Sequence, residues 1–269
     1  MIDYHLHSSY SIDSNSALIE FCDEAIKAGA IELGFSEHID FDPTDPGYRF
    51  YNDLQYGQEM NILKSFYHPR LKLKKGVEVT YQPQFLDLIK KTLSLINVDF
   101  VIGSIHFVDD WNISSSDPEE TGRFSSIDMK TAYEKFFVKL NELVQTGLFD
   151  IIGHFDIIAR YGHKYYGDYN PEDFIGIIRE ILREIIKSGQ ILEINTSGLR
   201  NSPKHTYPHF RIVKEYAELG GNTVVFGSDA HSPDNLCFKF RRAEEMAKEA
   251  GIKYRGIFEN RKIIERRSF

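Results

Sequence analysis

Short apolar runs alternate along the chain with longer stretches whose apolar positions recur at helical spacing. IDYHLH precedes SALIEFCDEAIKAGA, IELGFSEH precedes DLQYGQEMNILKSF, LKLKKGVEVTY precedes FLDLIKKTLSLI, and DFVIGSIHFV precedes DMKTAYEKFFVKLNELVQTG. DIIGHFDII, QILEINTSG and NTVVFGSDAHS are followed in the same way by PEDFIGIIREILREIIKSG, HFRIVKEYAELGG and NLCFKFRRAEEMAKEAG. Seven strand–helix units result, with an eighth short strand expected near IKYRGIF. Strands that alternate with helices pair in parallel, so the pattern predicts an α/β sheet closed or nearly closed into a barrel.

The punctuation agrees with these elements. Asn170-Pro171 reads as a cap followed by proline at the first helical position, and Gly147, Gly189, Gly220 and Gly251 end helical runs. Long polar loops (DFDPTDPGYRFYND, DDWNISSSDPEETGRFSS, RYGHKYYGDYN, NTSGLRNSPKHTYPH) all follow the C-terminal ends of strands, whereas KAGAIE, KSGQI and LGGNT connect helices back to strands briefly. That asymmetry marks the C-terminal end of the sheet as the working face.

At 269 residues the chain is long for one domain, but α/β barrels of this size form a single unit, expected here over residues 1–269. With 42% hydrophobic, 13% aromatic and 27% charged residues it reads as globular. The start, MIDYHLH, has no basic region leading into an apolar run, and no segment approaches the roughly 18 apolar residues of a membrane span. Cys22 and Cys237 belong to no CxxC and read as small buried residues, which fits a reducing cytoplasm. The formal charge of −8 argues against broad nucleic-acid binding. The basic pairs Arg261-Lys262 and Arg266-Arg267 read as the solvated face of a terminal helix.

Chemistry enters with the histidines. If Ile2 to His7 is extended, alternation puts His5 and His7 on one face and Tyr4 and Leu6 on the other. His38 ends the second strand, Glu78 lies near the end of the third, and His106 and His154 end the next two. Asp229 and His231 close the seventh. So many imidazoles and carboxylates at one end of a sheet would leave buried polar groups unsatisfied without cations, so bound metal is expected. Nitrogen and oxygen ligands without thiolate suit Zn, Mn or Fe.

These residues sit in motifs. His5-Leu6-His7-Ser8 continuing to Asp13, then SEH, GVE, GSIH, GHFD and GSDAH, resemble the PHP (polymerase and histidinol phosphatase) superfamily over residues 3–231, and within it the histidinol-phosphate phosphatase branch through SIHFVDDW, IIGHFDIIARYG and EINTSGLR. The resemblance implies a distorted seven-stranded (β/α)7 TIM-like barrel of the PHP fold with two to three divalent metal ions. His5, His7 and Asp229 would bind the first, Glu78 would bridge to a second held by His106 and His154, and His38 and His231 would hold a third. Asp13 would complete that third site, where some members of the family carry histidine instead.

The implied reaction is hydrolysis of a small phosphomonoester, L-histidinol phosphate, in histidine biosynthesis. Metals would acidify water and stabilise the leaving alkoxide, with Asp229 or His231 supplying its proton. Arg160 could hold phosphate through its guanidinium fork, and Arg200 and Asn195 start or flank the next working-face loop as further substrate contacts. Glu193, Asn195 and Asp156 could face the organic part of the substrate, and Glu193 could instead support the metal ligands. The loop aromatics Tyr48, Phe50, Tyr51, Trp111, Tyr161, Tyr165, Tyr166 and Tyr169 fit either a water-excluding lid or packing over the sheet. A phosphodiesterase or nuclease using the same metals is the second reading, and a metal-bound structural module without turnover the third.

Overall fold

The alternation becomes eleven strands and nine α-helices in a computed structural model that describes residues 1–269. The first half runs β1 (Ile2–Leu6), α1 (Leu18–Ala28), β2 (Glu32–Ile39), α2 (Asp53–Tyr67), β3 (Lys72–Thr80), α3 (Leu86–Leu95), β4 (Phe100–Ser104), the hairpin of β5 (Phe107–Val108) and β6 (Trp111–Asn112), α4 (Pro118–Gly122) and α5 (Met129–Gln145). The second half runs β7 (Ile151–Ile152), α6 (Ala159–Tyr166), α7 (Ile175–Ser188), β8 (Ile191–Asn195), α8 (Phe210–Glu218), β9 (Thr223–Gly227), α9 (Phe240–Ala250), β10 (Tyr254–Glu259) and β11 (Lys262–Ser268). No helix is long and apolar enough to cross a membrane.

The main sheet has nine strands, in the order β1-β2-β3-β4-β7-β8-β9-β10-β11, where seven were expected. Pairing is parallel from β1 through β10, and β11 is antiparallel to β10. The first and seventh strands of the run nonetheless meet. Leu6 bridges Ala230, Asp229 N donates to His5 O at 2.8 Å, and His7 N donates to Ala230 O at 2.9 Å. Near the other end of β1, the Tyr4 hydroxyl accepts from Phe258 N of β10 at 3.0 Å.

The terminal basic segment is a strand and not the expected helix. Asn260 and Arg261, at φ 48° and 61°, form a two-residue turn of the twist that hairpins prefer, pairing Glu259 with Lys262. Arg261 then anchors the hairpin, donating to both carboxylate oxygens of Asp150 and to Leu148 O. Two loops expected to be irregular also carry structure. α6 occupies most of RYGHKYYGDYN, and β5, β6 and α4 lie within or beside DDWNISSSDPEETG.

Two apolar clusters hold the fold. A large one packs helices against the sheet, and a smaller one joins Ile2, Tyr4, Phe100, Ile102, Ile151, Ile191, Val225, Ile257 and Phe258. The expected alternation in β1 is interrupted. Tyr4 belongs to the small cluster and Leu6 to the large one, because the register between β1 and β2 shifts between Asp3 and Leu6. Gly76 of β3 makes room for the small cluster, since a Cβ there would overlap the Phe100 ring.

Candidate metal centre and active site

One face of β3, β4 and β8 changes character along the strand. In β4 it runs Phe100, Ile102, Ser104; in β8, Ile191, Glu193, Asn195; in β3, Lys74, Gly76, Glu78, Thr80. The apolar starts of β4 and β8 belong to the small cluster, and the polar ends collect where every predicted metal ligand arrives. β1 brings His5 and the turn after it His7, β2 brings His38, and β3 brings Glu78. The segments after β4, β7 and β9 bring His106, His154, and Asp229 with His231, while Asp13 reaches in from the β1–α1 loop.

Glu78 lies at the centre. Its Oε2 is 3.3 Å from His5 Nε2, 3.5 Å from His7 Nε2 and 3.1 Å from His38 Nδ1, and its Oε1 is 2.8 Å from His154 Nε2 and 3.7 Å from His106 Nε2. Asp229 Oδ1 lies 3.8 Å from His5 Nε2, 3.6 Å from His7 Nε2 and 3.7 Å from His231 Nδ1. Asp13 Oδ2 lies 3.0 Å from His231 Nε2 and 3.5 Å from His38 Nε2. Three overlapping groups have the spacing of metal ligands: His5–His7–Asp229, His5–Glu78–His154 and His7–His38–His231.

A second layer of hydrogen bonds sets which ring nitrogen faces inward. Glu193 Oε1 sits 2.6 Å from His5 Nδ1 and, being an acceptor, requires the proton there. The Ser11 hydroxyl donates to Glu37 Oε2 at 2.6 Å, so at 3.3 Å from His7 Nδ1 it can only accept. The Thr80 hydroxyl likewise donates to Asp40 Oδ1 at 2.6 Å and accepts from His106 Nδ1 at 2.9 Å. The Asp229 carbonyl accepts from His231 Nδ1 at 3.2 Å. With Nδ1 so engaged, His5, His7 and His106 direct Nε2 at the cluster, the arrangement a metal ligand needs, and His231 turns its Nε2 to Asp13 Oδ2. His5 Nε2 and His7 Nε2 are buried with no hydrogen-bond partner, a cost of about 1–3 kcal/mol each unless another acceptor of their lone pairs is present. The donor set therefore fits divalent cations.

The charges are strongly coupled. Burial would raise the Glu78 carboxyl, but His5 and His38 hold it well below the usual carboxylate range. Burial opposes a charged His5, yet Glu193 and Glu78 lift it well above the ordinary imidazole value. His7 is pushed down by burial and by the neighbouring His38 and His231, and burial takes His106 down to about 3. The backbone is also constrained. Asp229 adopts a left-handed φ of 53°, held by its N–H on His5 O, by Ser197 Oγ donating to Oδ2 at 3.1 Å, and by Arg200 Nη2 donating to its carbonyl at 3.0 Å. Gly227 precedes this turn because a Cβ would collide with Glu193 and His5.

The ligands open into a cavity of about 600 Å³. Arg160 lines it, its guanidinium 5.3 Å from the Tyr161 ring centre. Asn195 and Arg200, expected to contact substrate, do not line it. The Asn195 amide donates to Glu193 Oε2 at 3.2 Å and its oxygen accepts from Ser197 N at 2.9 Å, which occupies the side chain in supporting the ligands. Arg200 stacks on Phe238 behind the Asp229 turn. Asp156 is buried and accepts from Tyr169 Oη and His209 N. Of the loop aromatics only Tyr161 lines the cavity; Trp111, Tyr165 and Tyr166 pack around Phe124. Sequence reasoning missed Glu37, Asp40, Thr80 and Ser11, although Glu37 beside His38 carried a signal, a carboxylate within a strand destined for burial.

Fold and site together define an α/β protein with a buried cluster of imidazoles and carboxylates, spaced as metal ligands are, at the C-terminal ends of parallel strands. The chain belongs to the PHP domain family, whose model matches residues 3–197. It is similar to the histidinol-phosphatase of Lactococcus lactis subsp. lactis, 29% identical over 264 residues that cover 97% of this chain and 96% of that protein. The histidinol-phosphatase of Bacillus subtilis is 26% identical over 262 residues, covering 88% and 96%. Among solved structures, histidinol phosphate phosphatase from Lactococcus lactis complexed with Zn, L-histidinol and phosphate superposes with a TM-score of 0.87 at 28% identity, covering 98% of both chains.

Proposed function

We propose that this chain is a metal-dependent phosphomonoesterase that converts L-histidinol phosphate and water to L-histidinol and phosphate, a step of histidine biosynthesis. The observation that carries the reading is the set of imidazoles whose Nδ1 atoms are engaged by second-layer groups, leaving His5 and His7 Nε2 buried and unpartnered around Glu78. The near full-length likeness to a zinc, L-histidinol and phosphate complex supports the substrate.

In this reading the domain spans residues 1–269 as a distorted barrel, its seam between β1 and β9. His5, His7, Asp13, His38, Glu78, His106, His154, Asp229 and His231 would hold two to three divalent ions of the Zn, Mn or Fe type. Bound there, the ions would polarise the phosphoryl oxygens and bring the pKa of water toward about 7. Arg160, which lines the same cavity, would cap the phosphoryl group by a two-pronged hydrogen bond. The leaving oxygen would take its proton from a water held at the Asp229–His231 pair, where Asp229 Oδ2 is held by Ser197 and directed apart from the imidazoles that Oδ1 faces. Glu193, Asn195 and Arg200 hold ligands in place and do not meet substrate. The reading is of a cytoplasmic enzyme with a small substrate and no nucleic-acid partner.

Metal-replete protein assayed side by side on L-histidinol phosphate, other phosphomonoesters and a single-stranded oligonucleotide tests it. Preference for the first is expected; preference for the oligonucleotide would replace the reading with a nuclease.

A further inference from the structure

Resting on the phosphomonoesterase reading, the cavity also says which end of the substrate it selects. It is lined by five carboxylates, Asp13, Asp40, Asp45, Glu78 and Asp229, and by a single cationic side chain outside the imidazoles, Arg160. Three of the carboxylates are already committed. Glu78, Asp229 and Asp13 face the ligand imidazoles at the distances given above. Asp40 has a structural task, since its Oδ1 takes the Thr80 hydroxyl that orients His106.

Asp45 has neither role. It sits in the turn between β2 and α2, where Asp45 N donates to Asp42 O at 3.0 Å and Tyr48 N donates to Asp45 O at 3.0 Å. Its Oδ1 accepts from Gly47 N at 2.7 Å, and no Lys, Arg or His lies within ion-pair distance of the carboxylate, so Oδ2 has no partner. The side chain is half-buried on the cavity wall beside Pro46, with Ile12 also on the wall. A carboxylate placed there is poor company for a phosphate dianion unless the same substrate carries a positive group. It is a suitable partner for an ammonium, because a charge-assisted hydrogen bond on a partly desolvated wall is stronger than one in water.

We propose that Asp45 is a specificity-determining residue that receives the ammonium group of the substrate, so that the enzyme selects amino-alcohol phosphates over phosphomonoesters of neutral alcohols. In L-histidinol phosphate the amine is on the carbon next to the phosphate-bearing one. One molecule can therefore present phosphate to Arg160 and the metal ligands while its amine meets the β2–α2 turn.

The experiment compares wild type with Asp45→Asn on L-histidinol phosphate and on 3-(imidazol-4-yl)propyl phosphate, the same molecule without the amine. Asparagine keeps the oxygen that accepts from Gly47 N, so the turn is preserved. Wild type should favour the amine-bearing substrate about 10- to 100-fold in kcat/KM, and in the variant that preference should collapse, chiefly through a raised KM. A preference unchanged by the substitution, or an equal loss on both substrates, would overturn the proposal. The wild-type comparison keeps it falsifiable if the variant fails to fold, since absence of any preference for the free amine overturns it too. Failure of wild type to hydrolyse L-histidinol phosphate at all would instead refute the parent reading.

Discussion

The two ends of the sheet are built from the same strands and treat buried polar groups in opposite ways. At the start of the strands, Phe100, Ile102, Ile151, Ile191 and Val225 close an apolar plug flanked by paired polar groups. Tyr4 Oη donates to Glu32 and accepts from Phe258 N, and Arg261 meets Asp150. At the other end, buried nitrogens of His5, His7, His38 and His154 have no hydrogen-bond partner, and Asp229 is held in a left-handed conformation. The difference separates two uses of burial. Satisfied groups specify the fold, whereas groups left unsatisfied but rigidly aimed prepare for something that binds.

The largest effect should come from the centre of the unsatisfied end. Glu78→Gln keeps the shape but removes the charge shared by five imidazoles, and should lower kcat/KM on L-histidinol phosphate by about a thousandfold or more. The loss should exceed that of His38→Asn; retention of most turnover by Glu78→Gln while His38→Asn abolished it would mean that the sites are wrongly apportioned. Next is Arg160→Met, which keeps the stem and removes the fork. It should cost about 2–4 kcal/mol in transition-state binding, roughly 30- to 1000-fold in kcat/KM on the monoester, and much less on bis(p-nitrophenyl) phosphate. Equal losses on both would move Arg160 from phosphate recognition to support of the wall.

Smaller still is Thr80→Val, which preserves volume but releases His106 Nδ1 from its acceptor. Zinc affinity, read by competition with a chelator, should weaken about 10- to 100-fold. Unchanged affinity would show that the second layer does not set the tautomer. The least effect on activity belongs to the opposite end. Phe100→Ala should destabilise by about 3–5 kcal/mol in denaturant titrations, yet leave metal content and kcat of the folded protein near wild type. A large fall in kcat of the folded variant would break the separation of the two ends.

Much of this organisation was legible in the sequence because ligands at strand ends fall at predictable places. HLH, SEH, GVE, GSIH, GHFD and GSDAH each follow an apolar run, and a parallel sheet sends all such ends the same way. The groups that aim the ligands were not legible. Thr80, Ser11 and Asp40 are common residue types whose roles arise only from contacts between strands. Asn195 and Arg200 looked like substrate contacts because they begin a working-face loop, but the Asn195 amide bonds Glu193 and Ser197, and Arg200 Nη2 bonds the Asp229 carbonyl. The last strand was missed because KIIERRS is exposed at most positions, so its apolar pattern was too weak to set it apart from a solvated helix.

If the unpartnered imidazole nitrogens hold metal, turnover requires that metal. The direct measurement is hydrolysis of L-histidinol phosphate by protein stripped with a chelator and then titrated with zinc, with bound metal followed by elemental analysis. Activity should be negligible in the stripped protein and should recover to saturation at two to three equivalents; full activity in protein free of metal would show that the nitrogens serve another purpose.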